Sequence, residues 1–556
     1  MAEKEFNLLQ EPWVRVMRPD ATVEEVSLTQ VLTHAHEYRA LAGEMPTQDV
    51  AMLRLLLAVL HAVFTKVDEN GESAPLQKMD DALDRWQALW DRGSIPAKPV
   101  EDYLQQYEDR FWLFHPERPF WQAKTADPSQ HSLYQEGTTA LVEASSYRAS
   151  KLNGEILQSE HKLRLFANRG YFSRNSLSYG EAARSLLQLN AYDDSALKGR
   201  SHKREKFKDG WLGYLGIVYA KGHNLFETLM LNFVLLDNQE ELWEHATPIW
   251  EVENPEERDL IAVVIPRDQA ALMTLQSRRT FLKREGGMVT GYQVLAGEQF
   301  DKATAYGVEM MTMWKQVAKD NQILPQQHEP GKQFWREFSV LVGMQGHDAI
   351  PGIVAWQRFL ELPPNYVVNY CAVGIKYSKA TPHGSVDEVF SDTLSLHLNL
   401  LSELGRNVRE RIQDEINRCE KIASSVFWLA IQLRRAKGGK DGGQKKAHEK
   451  QAGDAATAEF YYRIDEPFRK WLVTLEADTD EVTLDERQCE WQRTSGQIAM
   501  ELGREMVEAA GPVAFAGRVF KDSQGDKGKL ITAANAFNRF QREIHRNTVR
   551  RDGGEK

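Results

Sequence analysis

The apolar residues of this chain change period several times. Phe6-Asn7-Leu8-Leu9 and Trp13-Val14-Arg15-Val16 are short mixed runs, followed by a turn at Arg18-Pro19-Asp20 and β-prone residues over 22–26. They predict a β-hairpin or short sheet. A helix is predicted over 28–36. Another should start with Thr47 as N-cap, after Pro46, with Asp49 in its first turn. Its Leu53, Leu56, Leu57, Leu60, Val63 and Phe64 recur at helical spacing. Helices are also predicted over 76–90 and 100–112, before the aromatic turn His115-Pro116-Glu117-Arg118-Pro119-Phe120-Trp121 stops the pattern. Ser178-Tyr179-Gly180-Glu181 has the form of a capping box and opens a helix to residue 192. The polar, basic segment 194–209 that follows reads as a long loop.

From 260 to 296 the pattern turns to strands. Ile261-Ala262-Val263-Val264-Ile265, Arg279-Thr280-Phe281-Leu282 and Val289-Thr290-Gly291-Tyr292-Gln293-Val294 are β-prone, with Gly286-Gly287 as the turn between the last two. Beyond residue 363 helical patterns dominate, over 386–404, 407–433, 455–475, 484–510 and 529–551. The expected fold is α+β: a large mixed N-terminal domain over 1–370, then a C-terminal four-helix bundle over 371–556. Inside the bundle, 434–446 is Gly-rich and basic and reads as a mobile linker.

Composition narrows the function. A chain of 556 residues with 42% hydrophobic and 27% charged residues can build two cores, so disorder is not the bulk answer. Its formal charge of −11 argues against a protein that coats DNA by itself, because phosphate neutralisation drives such binding. It leaves room for local basic patches on a subunit that partners hold on nucleic acid. Three cysteines, Cys371, Cys419 and Cys489, with no C-x-x-C pair, suit neither a disulfide framework nor a cysteine zinc site. Reducing cytoplasm is the expected compartment. The N-terminus lacks the apolar core of a secretory signal. The longest apolar stretch, 53–64, is interrupted by Arg54 and His61 and is too short to span a bilayer, so no membrane partner is expected.

Catalysis finds little support. Gly438 to Lys446 looks like a phosphate cradle but has Gln444 after Gly443, not Lys-Ser or Lys-Thr, and no preceding buried strand. His34 and His36, at i and i+2, point apart on a helix. There is no H-E-x-x-H or G-x-S-x-G. No cofactor, metal or catalytic residue is expected, although a site assembled from distant residues stays open. Basic segments are the better signal. Lys198, Arg200, Lys203, Arg204, Lys206 and Lys208 read either as a solvated insertion or as phosphate contacts near Gly199. Arg539, Arg542, Arg546 and Arg550 fall on one helical face, either a stripe answering acidic neighbours or a track along a nucleic-acid backbone. Residues 165–175 mix aromatics, amides and Arg around Gly170, as an anchored loop or a base-contacting one.

Phe6-Asn7-Leu8-Leu9-Gln10-Glu11-Pro12-Trp13-Val14-Arg15-Val16 resembles the N-terminal signature of the CasA family, large subunits of the type I-E CRISPR Cascade complex. The likeness continues in order through Val26-Ser27-Leu28, Pro46-Thr47-Gln48-Asp49-Val50 and Pro116-Glu117-Arg118-Pro119-Phe120-Trp121-Gln122. It then reaches Trp211-Leu212-Gly213-Tyr214-Leu215-Gly216 and Asn224-Leu225-Phe226-Glu227-Thr228-Leu229. No single motif is decisive, but the ordered set is fairly specific. The resemblance implies a subunit without enzymatic activity that recognises the protospacer-adjacent motif in double-stranded target DNA, mainly through the minor groove. It implies guide RNA-bearing Cascade subunits and a helicase–nuclease effector as partners, with the guide reading sequence by base pairing.

By the same resemblance, Phe166 begins the motif-sensing loop, with Ala167, Asn168, Arg169 and Gly170, running to about Asn175. The family's glycine loop falls near Ser195, Lys198, Gly199 and Arg200, where this chain has basic residues instead of several glycines. A duplex-splitting wedge is expected at Gln345, Gly346, His347, Asp348 and Ala349, where the family form has adjacent Asn and Gln. Lys302 is the candidate motif-contacting lysine. Competing readings are a nuclease with a dispersed carboxylate site and a structural adaptor without direct DNA readout.

Overall fold

The computed structural model describes residues 4–124, 144–154, 169–170, 173–194, 209–253, 266–298, 300–317, 322–344, 349–363, 365–378, 386–438, 445–520 and 529–548. Two compact units emerge. One comprises Met1–Pro330, Val340–Leu362 and Asn369–Thr393; the other comprises Gly331–Ser339, Pro363–Val368 and Leu394–Lys556. The first mixes helices with short sheets and the second is built on long helices, so the architecture is α+β with a helical C-terminal region.

The core helix of the first unit is Pro46–Phe64, with all but its first residue and Asp49 buried. Pro46 rather than Thr47 begins it, because a fixed φ and a missing N–H suit the first helical position. Met45 is therefore the N-cap, and Thr47 lies inside the helix, accepting from Gln188 Nε2 at 2.9 Å. At 19 residues this helix is long and apolar enough to cross a membrane by length and composition. Yet 89% of its most apolar window is buried inside the protein.

Its Arg54 is one of the few charges in that interior. The guanidinium meets Glu309 through Nη1–Oε1 at 2.8 Å and Nη2–Oε2 at 3.1 Å. Glu309 also accepts from Trp211 Nε1 at 2.9 Å and from the Met311 amide at 3.2 Å. The carboxylate is thus satisfied on both oxygens, as burial demands. Around it pack Trp211, Phe300, Trp314 and Ile217, among other buried apolar residues.

Strands Val14–Met17 and Val23–Val26 form the predicted hairpin, with Ala40–Leu41 on the other edge. The first strand, Glu5–Asn7, pairs instead with Trp112–Phe114. Consequently the helix expected over 100–112 stops early, as Ala97–Gln106. The aromatic run Phe111-Trp112 with Pro116 and Pro119 behind it favours extended backbone. Arg278–Glu285 and Met288–Ala296 form the expected hairpin; Gly286 and Gly287 take φ of 58° and 77°, the positive values a two-residue turn needs. The expected strand 261–265 lies outside the described residues.

Residues 386–404 do not form the expected long helix. Val386–His397 is a strand in one sheet with Val367–Tyr377 and Ile217–Lys221. Val386, Val389 and Thr393 are β-branched, and half-buried Ser395 separates buried Leu394 from Leu396, a period of two rather than 3.6.

In the second unit the long helices are Arg406–Lys437, Lys445–Leu472, Glu481–Ala516 and Ala533–Thr548. Much of the expected 434–446 linker is helix. Arg434 to Lys437 close the first helix, and Arg435 pairs with Glu449 of the second at 2.8 Å. Residues 439–444 lie outside the described ones. Lys529–Ile531, expected to begin a helix, pairs as a strand with Arg518–Phe520. The fourth helix starts after Thr532, whose Oγ1 accepts from the Asn535 amide at 3.1 Å. The third helix kinks at Gly511, with φ of 74°, before Pro512. Between helices, buried Glu415 accepts from Gln488 and Gln492 at 2.7 and 2.6 Å and pairs with Arg418 at 3.1 Å.

Asp49 gives this fold a pH signature. The residue is half-buried, but its carboxyl is withdrawn from water, and that desolvation raises it from 3.8 to about 6, outweighing the Gly43 amide at 2.7 Å and the more distant Lys221 charge. A raised folded-state pKa means stability present below the unfolded value of 3.8 and lost as pH rises through about 6. Asp49→Asn keeps the Gly43 acceptor and removes that loss. The variant should be more stable than the parent by up to about 3 kcal/mol at about pH 7, with the gain vanishing towards about pH 4. Urea unfolding of both proteins at the two pH values checks it, and an equal difference at both would refute the assignment.

Candidate nucleic-acid interface

The helix Tyr179–Tyr192 frames two of the expected contact segments. Its N-terminus forms the capping box read from the sequence: Ser178 Oγ accepts from the Glu181 amide at 3.2 Å, and the Ser178 amide donates to Glu181 at 2.8 Å. Arg169 reaches the other Glu181 oxygen at 2.5 Å. Burial works against the Glu181 carboxylate, but Arg169 and Ser178 hold its pKa below the ordinary value. Gly170 is exposed, and its carbonyl accepts from the Ser173 and Arg174 amides at 3.1 and 3.2 Å. Leu177 then bridges to Val289 of the hairpin. The end of the expected motif-sensing loop is thus tied down, while Phe166, Ala167 and Asn168 lie outside the described residues.

At the other end of this helix sits a buried arginine. Arg278 Nε donates to Asp193 Oδ2 at 2.6 Å, and its Nη2 donates to the Asp193 and Asp194 carbonyls at 3.3 and 3.0 Å. Its amide donates to Asn190 Oδ1 at 2.9 Å. Burial disfavours the Arg278 charge, but Asp193 more than restores it and the pKa is raised. The Gly210 amide returns to the Asp193 carbonyl at 2.8 Å. Only glycine fits there, since a Cβ would meet the Ala191 carbonyl. Ser195, Lys198, Gly199 and Arg200 therefore belong to a segment, 195–208, whose flanks are joined by the Gly210–Asp193 hydrogen bond; the segment itself lies outside the described residues.

Midway along the helix, Arg184 donates to the Trp13 carbonyl at 2.6 Å and pairs with Glu44 and Glu25 at 2.7 and 2.9 Å. Arg184 and Arg278 are the positioning residues that sequence reading missed. Neither carries a local signal, because their partners are far along the chain.

Lys302 is exposed and sits in a turn beyond the strand Met288–Ala296, not on a strand. Asp301 makes that turn by accepting from the Ala303 amide at 3.0 Å, and buried Phe300 anchors it on Trp211 at a 4.4 Å ring separation. Of the wedge candidates, Gln345, Gly346, His347 and Asp348 lie outside the described residues. Ala349 is half-buried against the apolar cluster of the first unit. On the fourth bundle helix Arg539, Arg542 and Arg546 are exposed as expected, and Arg550 lies outside the described residues. Among the described residues no group of three or more His, Cys, Asp or Glu is placed to hold a metal ion.

Residues 7–502 match the family of CRISPR-associated protein Cse1. The chain belongs to the Cse1 family. A relative from Thermus thermophilus, CRISPR-associated protein CasA/Cse1, is 30% identical over 348 residues, 62% of this chain. That match spans 61% of the relative's own length. The crystal structure of Thermobifida fusca Cse1 is similar with a TM-score of 0.76 and 27% identity, over 98% of this chain and 99% of that one. A chain of a solved CRISPR RNA-guided surveillance complex shares the fold, with a TM-score of 0.64 and 17% identity over 98% of this chain and 100% of that one. The Cse1 match thus reaches the first unit and runs well into the third helix of the second.

Arg278→Met deletes the donors that hold Asp193 and the two carbonyls. The expected loss is about 3–5 kcal/mol, the range for removing one partner of a buried ion pair. Chemical denaturation measures it. A loss near that of an exposed pair, below about 1 kcal/mol, would show that Arg278 does not organise this end of the helix.

Proposed function

We propose that this chain is the large, non-catalytic DNA-recognition subunit of a type I-E RNA-guided surveillance complex. It recognises the protospacer-adjacent motif in target duplex, mainly from the minor groove, helps to open the duplex for R-loop formation, and docks a helicase–nuclease. Partner subunits carry the guide RNA, which reads sequence by pairing. The observation that carries this reading is the Cse1 match over 7–502, joined to a likeness to T. fusca Cse1 over nearly the whole chain.

The chemistry on the first unit is compatible with it. Two candidate segments leave opposite ends of one helix of 14 residues, about 21 Å long. One offers Phe166 and Asn168, which can stack on bases and reach groove edges, with Arg169 tied to Glu181 at its foot. The other offers Lys198 and Arg200 beside Gly199, which can approach phosphate closely. A net charge of −11 suits a subunit that partners hold on DNA.

The test uses the assembled complex with duplexes that carry or lack the motif. Phe166→Ala and Asn168→Ala should each weaken motif-dependent binding by about 1–3 kcal/mol and leave motif-free binding alone. Equal losses on both duplexes would make this loop a phosphate clamp or an anchor.

Replacing 345–348 by a short glycine linker probes the wedge. Unstacking a base step costs about a few kcal/mol, so R-loop formation should fail on paired DNA and recover on a target already unpaired beside the motif. An equal defect on both targets would remove the wedge from the reading.

A further inference from the structure

The second unit holds a groove that motif reading leaves unused. It runs between the helices Glu481–Ala516 and Ala533–Thr548 and encloses about 1210 Å³. Gly496 and Gly503, one heptad apart on the third helix, let the fourth come close. A Cβ at Gly496 would lie 2.7 Å from Thr548 Cγ2, and one at Gly503 would strike the Phe540 ring. Beside this seam run two stripes of side chains, with Arg493 and Arg504 on one helix and Arg542 and Arg546 on the other.

Their electrostatics are one-sided. Among the described residues that line the groove, Glu501 is the only carboxylate against four guanidinium groups. Among the described residues Arg493 and Arg504 have no hydrogen-bond or ion-pair partner. Arg542 donates to the Asn538 carbonyl of its own helix, at 3.2 Å. Arg546 pairs with Glu543 at 3.1 Å, an exposed contact that water already screens. In a chain of net charge −11, four arginines converging on one groove are a local reversal of sign.

The shape and lining select the occupant. Packed helices lie about 8–10 Å apart, so the furrow between them seats one strand rather than a duplex. Arg493 and Arg504 lie about 16 Å apart along their helix, which makes a track rather than a point site. A protein partner would need an aromatic or similar anchor pocket, but the groove's apolar surface comes from Met500, Cys489, the Thr548 methyl and the stems of its arginines and glutamines, with Ile544 buried beneath and no Phe, Tyr or Trp among the described lining residues. Guanidinium groups with the Gln497 and Gln541 amides among them are donors suited to a sugar–phosphate backbone.

We propose that this groove is a second nucleic-acid site, which binds the backbone of one strand without regard to sequence. Arg493, Arg504 and Arg542 contact phosphates, and Arg546 joins them by leaving Glu543. The site lies within the second compact unit, whereas the candidate motif-reading segments belong to the first.

The full chain is titrated against a labelled oligothymidylate by fluorescence anisotropy over a range of salt. The triple variant Arg493→Gln, Arg504→Gln, Arg542→Gln should bind at least about tenfold more weakly at low salt. Its log–log salt slope should be shallower by about 2, since each single-strand phosphate contact contributes about 0.7. Glu501→Gln, which leaves every arginine in place, should tighten binding, and it carries the test if the triple variant does not fold. Unchanged affinity and slope in these variants would overturn the proposal. So would polyglutamate competing as well as the oligonucleotide per unit charge, which would mark a docking surface for acidic protein. The oligonucleotide contains no motif, so this result is independent of the Phe166 and Asn168 variants.

Discussion

Arg54 and Glu309 are 255 residues apart in the chain and meet in an interior where neither retains its hydration. Withdrawing two such charges from water costs several kcal/mol per ion, and only a complete set of short contacts offsets it. That set consists of the bidentate pair, the Trp211 indole and the Met311 amide. A core helix rotated or shifted by one residue would strand both charges. The pair therefore acts on register more than on net stability. The apolar surface of Pro46–Phe64 could pack in several ways, but only one brings Arg54 to Glu309. Trp211, which follows Gly210, and Phe300, which precedes Lys302, pack on each other in this same region, so two flanks of the candidate interface take their position from it.

A second buried cation, Arg278, does at the C-terminal end of Tyr179–Tyr192 what Arg54 does in the core helix. Arg54 grips its carboxylate with both Nη groups, whereas Arg278 sets Nε on the Asp193 carboxylate and Nη2 on main-chain carbonyls. A lysine, with one compact ammonium, has no comparable fork. Together they give a rigid frame on which segments of quite different chemistry can be mounted, the usual division between scaffold and contact loops. The helical unit follows another rule. There a buried glutamate, Glu415, is matched mainly by glutamine amides, so the bundle's register depends on neutral donors as well as on Arg418.

Local chemistry was readable in the sequence wherever a short-range rule decides the outcome. The capping box at Ser178 and the Gly286-Gly287 turn have their causes within four residues. The long bundle helices follow from sustained apolar stripes. Failures occurred where two local signals compete: Pro46 against Thr47 for the start of the core helix, and leucines over 394–401 that suit either period until the β-branched residues before them are weighed. Long-range pairings gave no signal at all. Arg184, Arg278 and Glu309 look like surface charges in sequence and are buried in the fold. Of the candidate contact residues, Arg169 and Gly170 lie in a segment whose mixed aromatic, amide and basic chemistry stood out by itself, whereas Lys302 and Ala349 came from family likeness alone; the structure gives each a clear local setting.

The hydrogen bond between the Gly210 amide and the Asp193 carbonyl closes the stem of segment 195–208. Because its flanks are already adjacent in the fold, the loop-closure entropy grows only logarithmically with the number of residues between them, and doubling that number adds about 0.6 kcal/mol. Changes of length or charge inside the stem thus barely reach the core, whereas a side chain at Gly210 would break it open. Such a stem is an evolutionary insulator: a lineage can rewrite what this segment contacts, residue by residue, without having to refold the protein that carries it.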